Sequence, residues 1–87
     1  MKLKYDFSIQ EVADKFVAVG KNPETQTVEQ VFNLNDTGAL ILQALQDSSD
    51  VPAIVNLLLS KYDVTQQEAK TEVKEFIAML NDNGLAF

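Results

Sequence analysis

The chain contains no cysteine, no histidine and no arginine. Without cysteine, disulfides, thiolate metal sites and cysteine nucleophiles are excluded. Without histidine, the usual general base, the commonest transition-metal ligand and the usual catalytic triads are gone. All seven basic residues are lysines, so the commonest bidentate contact to guanine cannot form. Thirteen carboxylates outnumber them and leave a net charge of −6. A phosphate backbone is repelled on average by such a surface. No apolar run approaches the roughly 18 residues of a membrane span. The stretch before Phe7 has no apolar signal core. Gly-rich phosphate loops, metal-ligand clusters, internal repeats and low-complexity tracts are also missing. These absences lead us to expect a cytoplasmic protein with no cofactor, no metal, no nucleic acid and no membrane partner.

What is present is enough for one core. Apolar residues make up 46% of the 87-residue chain, and the length fits a single domain over residues 1–87. A domain this small buries only roughly 60–65% of its unfolded surface. The patterning changes once, near residue 35. Before it, apolar residues alternate, as in strands. Phe7 to Val12 and Lys15 to Val19 read as two strands joined tightly at Ala13-Asp14, an antiparallel hairpin. A polar turn region from Gly20 to Thr27 follows. Val28 to Leu34 reads as a third strand, with Val28, Gln30, Phe32 and Leu34 on one face.

After residue 35 the spacing is helical. The strand stops at Asn35-Asp36-Thr37 and a helix is expected from about Thr37 to Gln46, with Asp36 or Thr37 as its N-cap. Leu40, Ile41, Ala44 and Leu45 form its apolar stripe. Asp47 to Asp50 link it to a second helix, where Pro52 sits in the first turn at no cost in hydrogen bonding. Val51, Ile54, Val55, Leu58 and Tyr62 form one face of that helix. Thr65-Gln66-Gln67-Glu68 matches a capping box and starts a third helix; Asn83-Gly84 ends it. Ala69, Val73, Phe76, Ile77 and Leu80 are expected to face inward. Three strands followed by three helices predict an α+β fold.

The third helix separates its charges. Glu68, Glu72 and Glu75 lie on one flank of the apolar stripe. Lys70 and Lys74 lie on the other, beside Ile77. Neither lysine has a carboxylate three or four residues away, and like charges at that spacing repel. One reading is a lysine-edged groove for an anionic partner; the other is a pair of solvated surface lysines.

Leu34-Asn35-Asp36-Thr37-Gly38-Ala39 resembles the Leu-Asn-x-Thr-Gly-Ala strand-to-helix junction of the PqqD-like family, the peptide-binding domains known as RiPP recognition elements. Tyr62-Asp63-Val64 and the pattern of Val73, Phe76, Leu80, Gly84 and Leu85 are similar to that family as well. The loop from Gln46 to Asp50 lacks the glycine often found there. The resemblance implies a winged-helix-like fold, a three-stranded antiparallel sheet followed by three helices. It implies a non-catalytic adaptor, in a family that includes proteins of coenzyme PQQ synthesis. Such adaptors capture the leader of a ribosomally made precursor peptide. They present it to a modifying enzyme of natural product biosynthesis, often a radical SAM enzyme. The leader adds as a further strand beside the third strand and packs on the third helix. On this basis the expected peptide-binding residues are Val28, Gln30 and Phe32 on the strand, with Val73 and Ile77 as an apolar floor. Lys70 and Lys74 are expected to draw acidic side chains of the leader. The physics is general: a bare sheet edge offers unpaired N–H and C=O groups that an extended chain can satisfy.

Three other readings compete. A DNA-binding winged helix would use Gln66, Gln67 and Lys70 at the start of the third helix, against the net charge and the lack of arginine. An acyl-carrier-type protein would use Ser48 or Ser49, yet such domains are all-helical, and these serines fit a linker. An enzyme would need a poised carboxylate, whereas Glu72 and Glu75 sit on an exposed flank. Nothing in the sequence sets an oligomeric state.

Overall fold

A tight turn opens the fold. Ala13 and Asp14 take φ values of 48° and 68°, the mirror-image turn geometry whose twist matches paired strands. It joins β1 (Asp6–Val12) to β2 (Lys15–Lys21). A computed structural model describes residues 2–87; the first residue of the expected domain lies outside the described residues. β2 also pairs antiparallel with β3 (Val28–Leu34), giving a sheet of order β1-β2-β3. The third strand matches its expected bounds. The first two run slightly longer than the sequence pattern shows, because pairing carries Asp6 opposite Lys21. A register shift at Gly20/Lys21 leads into the β2–β3 loop. There the Asn22 side chain accepts from the backbone N–H of Glu24 at 2.9 Å.

The three helices follow in order, α1 (Asp36–Gln46), α2 (Val51–Lys61) and α3 (Gln66–Asp82). This is the expected α+β fold, with three antiparallel strands and then three helices. Each helix begins on a side-chain cap. Asp50 accepts from the Ala53 N–H at 2.9 Å. Thr65 and Glu68 complete the expected capping box. α1 differs from expectation. Its N-cap is Asn35, whose Oδ1 accepts from the Gly38 N–H at 2.7 Å and from the Thr37 hydroxyl at 3.1 Å. Asp36 and Thr37 are already helical. The helix starts one residue early because the Asn35 oxygen reaches the third helical N–H, while Asp36 reaches only its neighbour Thr37.

Two apolar clusters meet along α1. Ile41, Ala44, Ile54, Val55, Leu58, Ala69 and Val73 join the three helices. Phe7, Ala18, Leu42, Leu80, Leu85 and Ala86 join the helices to the sheet. Small residues on β2 make room for rings from both neighbouring strands. Ala18 is wholly buried opposite Phe32. A Cβ on Gly20 would lie 2.8 Å from the Phe7 ring. Phe7 of β1 therefore reaches across β2 to meet Phe32 of β3 edge-to-face, at 5.9 Å between centroids.

Past Gly84, at φ 68°, the chain turns under the sheet and buries Leu85 and Ala86. Its backbone then bonds the N-terminal segment: the Lys4 N–H donates to the Leu85 carbonyl at 3.0 Å and the Phe87 N–H to the Lys2 carbonyl at 2.8 Å. The tail is fastened by its backbone to the start of the chain rather than to β3.

Replacing Asn35 by Ala removes the α1 cap and should lower unfolding stability by about 1 kcal/mol, read from the urea midpoint at unchanged m-value. Tyr62, the C-cap of α2, offers a second check. Partial desolvation, and then the Asp36 carboxylate, raise its pKa above the ordinary 10.0. The folded state thus holds this proton more tightly than the unfolded chain. The contribution of Tyr62 to stability should be constant below the ordinary tyrosine range and fall as pH rises above it. In a Tyr5→Phe background, Asp36→Asn should move the phenolate absorbance transition back toward its ordinary pH.

Candidate functional site

The sheet has two edges, and they are treated differently. On β1, the Phe7 N–H is taken by the Gln46 side chain at 2.8 Å. The N-terminal segment and the end of α1 flank that strand closely, around a hollow lined by Leu3, Tyr5, Asp6, Leu45 and Gln46. On β3, β2 is the strand partner and, among the described residues, no further strand adds on the outer side. That edge keeps a row of backbone groups with no partner strand.

Beside the open edge runs a slot of about 360 Å³. Gln30, Val31, Phe32 and Asn33 form its strand side. Met79 of α3 and Asn83, the C-cap of that helix, form the facing wall, with Leu85 beneath. Phe32 is half-buried and held by the Phe7 ring. Val31 points away from the core and is 64% exposed. Gln30 is steadied by a long contact to the Tyr5 hydroxyl at 3.5 Å. The Asn83 amide donates to the Met79 carbonyl at 2.8 Å, which fixes the end of the wall. Met79 is unbranched and soft, suited to side chains of varied shape. The chemistry on offer is main-chain pairing along β3 and apolar contact across to α3. Among the described residues no polar or charged residue is buried. No group of three or more metal-ligating side chains comes together among them.

The seven residues expected at the site do not come together. Gln30 and Phe32 line the slot, and Val28 stands half-exposed at the start of the same strand. Val73 is a correction: it is wholly buried in the core between the helices, out of reach of a ligand. Lys70 and Lys74 are also set apart from the strand. They line a separate groove with Val51, Pro52 and Val55 of α2. Ile77 opens toward Leu45 and the α1–α2 loop. The reason is helical phase. At about 100° per residue, Lys70 and Met79 are nine positions apart and so point in about opposite directions. Glu72, seven positions before Met79, lies within about 20° of it. The flank of α3 that meets β3 is thus the glutamate flank.

Met79, Asn83 and Leu85 were missed. The phase of Met79 was readable; which flank of α3 meets the strand was not. The structure also divides the residues a DNA reader would need. Gln66 and Lys70 face α2, while Gln67 shares its surface with Glu68, Glu72 and Glu75.

The family described as Coenzyme PQQ synthesis protein D (PqqD) matches residues 18–86. A solved structure described as "TbiB1 in Complex with the TbiA(beta) Leader Peptide" superposes with a TM-score of 0.74 at 20% identity. It covers 99% of this chain and 94% of that one, a likeness of fold alone. A second, "Lasso peptide synthetase B1 complexed with the leader peptide", gives a TM-score of 0.73 at 26% identity, over 99% of this chain and 95% of that one. No curated protein matches.

The slot assignment separates two neighbours on β3. Phe32→Ala should cost about 2 kcal/mol, since half of a ring and its edge-to-face partner are lost. Val31→Thr, on the outer face, should stay within about 0.5 kcal/mol. Chemical denaturation of both variants checks the contrast.

Proposed function

This chain belongs to the PqqD family, and on that premise we propose that it is a non-catalytic, cytoplasmic adaptor. It captures the leader segment of a ribosomally synthesised precursor peptide and presents it to a modifying enzyme. One observation carries the reading: β3 has a free outer edge, and α3 stands beside it at the distance of a slot. The leader adds to β3 as a fourth strand. Alternate side chains of the added strand drop between Phe32 and Met79. Main-chain bonds supply affinity with little demand on sequence, and the Phe32–Met79–Leu85 pocket supplies selectivity. The two structurally similar proteins are both described as leader-peptide complexes, which supports the same occupant here. A segment of six or seven residues buries an area at the low end of specific interfaces, so dissociation constants near the micromolar range are expected.

The peptide-contacting residues follow from the slot. Val28, Gln30 and Phe32 serve on the strand, joined by Val31 and Asn33, with Met79, Asn83 and Leu85 opposite. Lys70 and Lys74 stand outside this set.

The test is a titration with leader segments of short open reading frames neighbouring the gene, read by backbone amide shifts. A cognate leader should move the β3 amides and those around Met79 and Asn83. Met79→Asp should weaken it by about tenfold, because a carboxylate in the pocket must be desolvated. Lys70→Glu with Lys74→Glu should leave it unchanged. Shifts confined to residues away from β3 would refute the reading.

A further inference from the structure

The leader slot uses one flank of α3, and the opposite flank holds a second groove for which leader binding gives no role. Val51, Pro52 and Val55, from the first turns of α2, face Gln66, Lys70 and Lys74 across about 470 Å³. On the α2 side Pro52 is exposed and Val51 is 37% exposed, with the exposed amide of Asn56 beside them and Val55 buried beneath. Both lysines are exposed on the other side. The chain carries thirteen carboxylates, yet none lines this groove. Lys70 and Lys74 stand one helical turn apart, with no carboxylate three or four positions away on α3. Their mutual repulsion is relieved by an anion placed between them.

We propose that this lysine-edged groove is a second docking surface, which takes an acidic amphipathic segment of the modifying enzyme. The proposal rests on the reading of the chain as a leader-presenting adaptor. Apolar side chains of the segment sit on Val51 and Pro52, and its carboxylates reach Lys70 and Lys74. An acidic segment is repelled by most of a surface of net charge −6 and is steered to the one flank of α3 that carries cations. Lys70 points about opposite to Met79 around α3, so leader and enzyme occupy the adaptor together with one helix between them. An adaptor that hands over a peptide needs both contacts at once, and a small charged contact can also be released.

The probe is a short synthetic peptide of alternating Glu-Glu and Leu-Leu pairs, titrated into the full chain and read by backbone amide shifts. Saturable shifts are expected at Val51, Val55, Gln66, Lys70 and Lys74, with the β3 amides unmoved. Lys70→Glu with Lys74→Glu should weaken the probe by about tenfold, and raised salt should weaken it in the parent. A counterpart with Lys-Lys in place of Glu-Glu should cause no shift at these residues. Three results would each overturn the proposal: no saturable shift, shifts at β3 instead, or the same shifts from inorganic phosphate alone. A leader segment titrated into the same samples reports on β3. Failure of the adaptor reading is therefore seen there, separately from failure at α2 and α3.

Discussion

The close approach of α3 to the strand–helix junction is the contact on which the remaining geometry depends. A Cβ on Gly38 would lie 2.9 Å from the Asn35 cap oxygen and 3.3 Å from the Phe76 ring. The same position is 3.4 Å from Leu34 at the end of β3. Strand end, helix start and α3 therefore converge on a place where only hydrogen fits. The cap at Asn35 fixes the angle at which α1 leaves β3. Phe76 then lays α3 along that corner, and Met79 and Asn83, one and two turns further on, come to stand beside the strand. A larger residue at 38 would push α3 outward and open the slot.

Edge management explains why a chain this small can keep one strand bare. A free sheet edge invites uncontrolled pairing. Here one N–H of the β1 edge, that of Phe7, is taken by the Gln46 side chain, and the C-terminal tail is tied to the N-terminal segment. The β3 edge is left open along its length, with Val28 and Val31 among the more exposed large apolar residues of the protein. Its guard is the helix beside it, which admits an extended chain of limited width and hinders a second sheet.

Charge is sorted across α3 in the same way as contact. Glu68, Glu72 and Glu75 lie on the flank that continues toward Met79, and the two lysines lie on the flank that meets α2. A single helix separates two surfaces of opposite sign. On the adaptor reading, this lets peptide and enzyme be recognised by different chemistry with little competition between them.

Much of this protein is determined by local sequence. The alternation from Val28 to Leu34, the box at Thr65 and Glu68, the cap at Asp50 and the stop at Asn83-Gly84 act within a turn or two, so they are visible without tertiary context. The Leu34–Ala39 junction likewise announces its family. The choice of Asn35 over Asp36 as the cap needed three-dimensional reach, since both oxygens have an amide within range and only one reaches across the turn. The burial of Val73 and the division of the expected site had to await the tertiary structure. The sequence places glutamates and lysines on opposite flanks of the apolar stripe, but a stripe packs equally well with either flank beside β3. What decides is strand order and the seat of Phe76 on Gly38, contacts between residues 38 positions apart, and no local pattern encodes them.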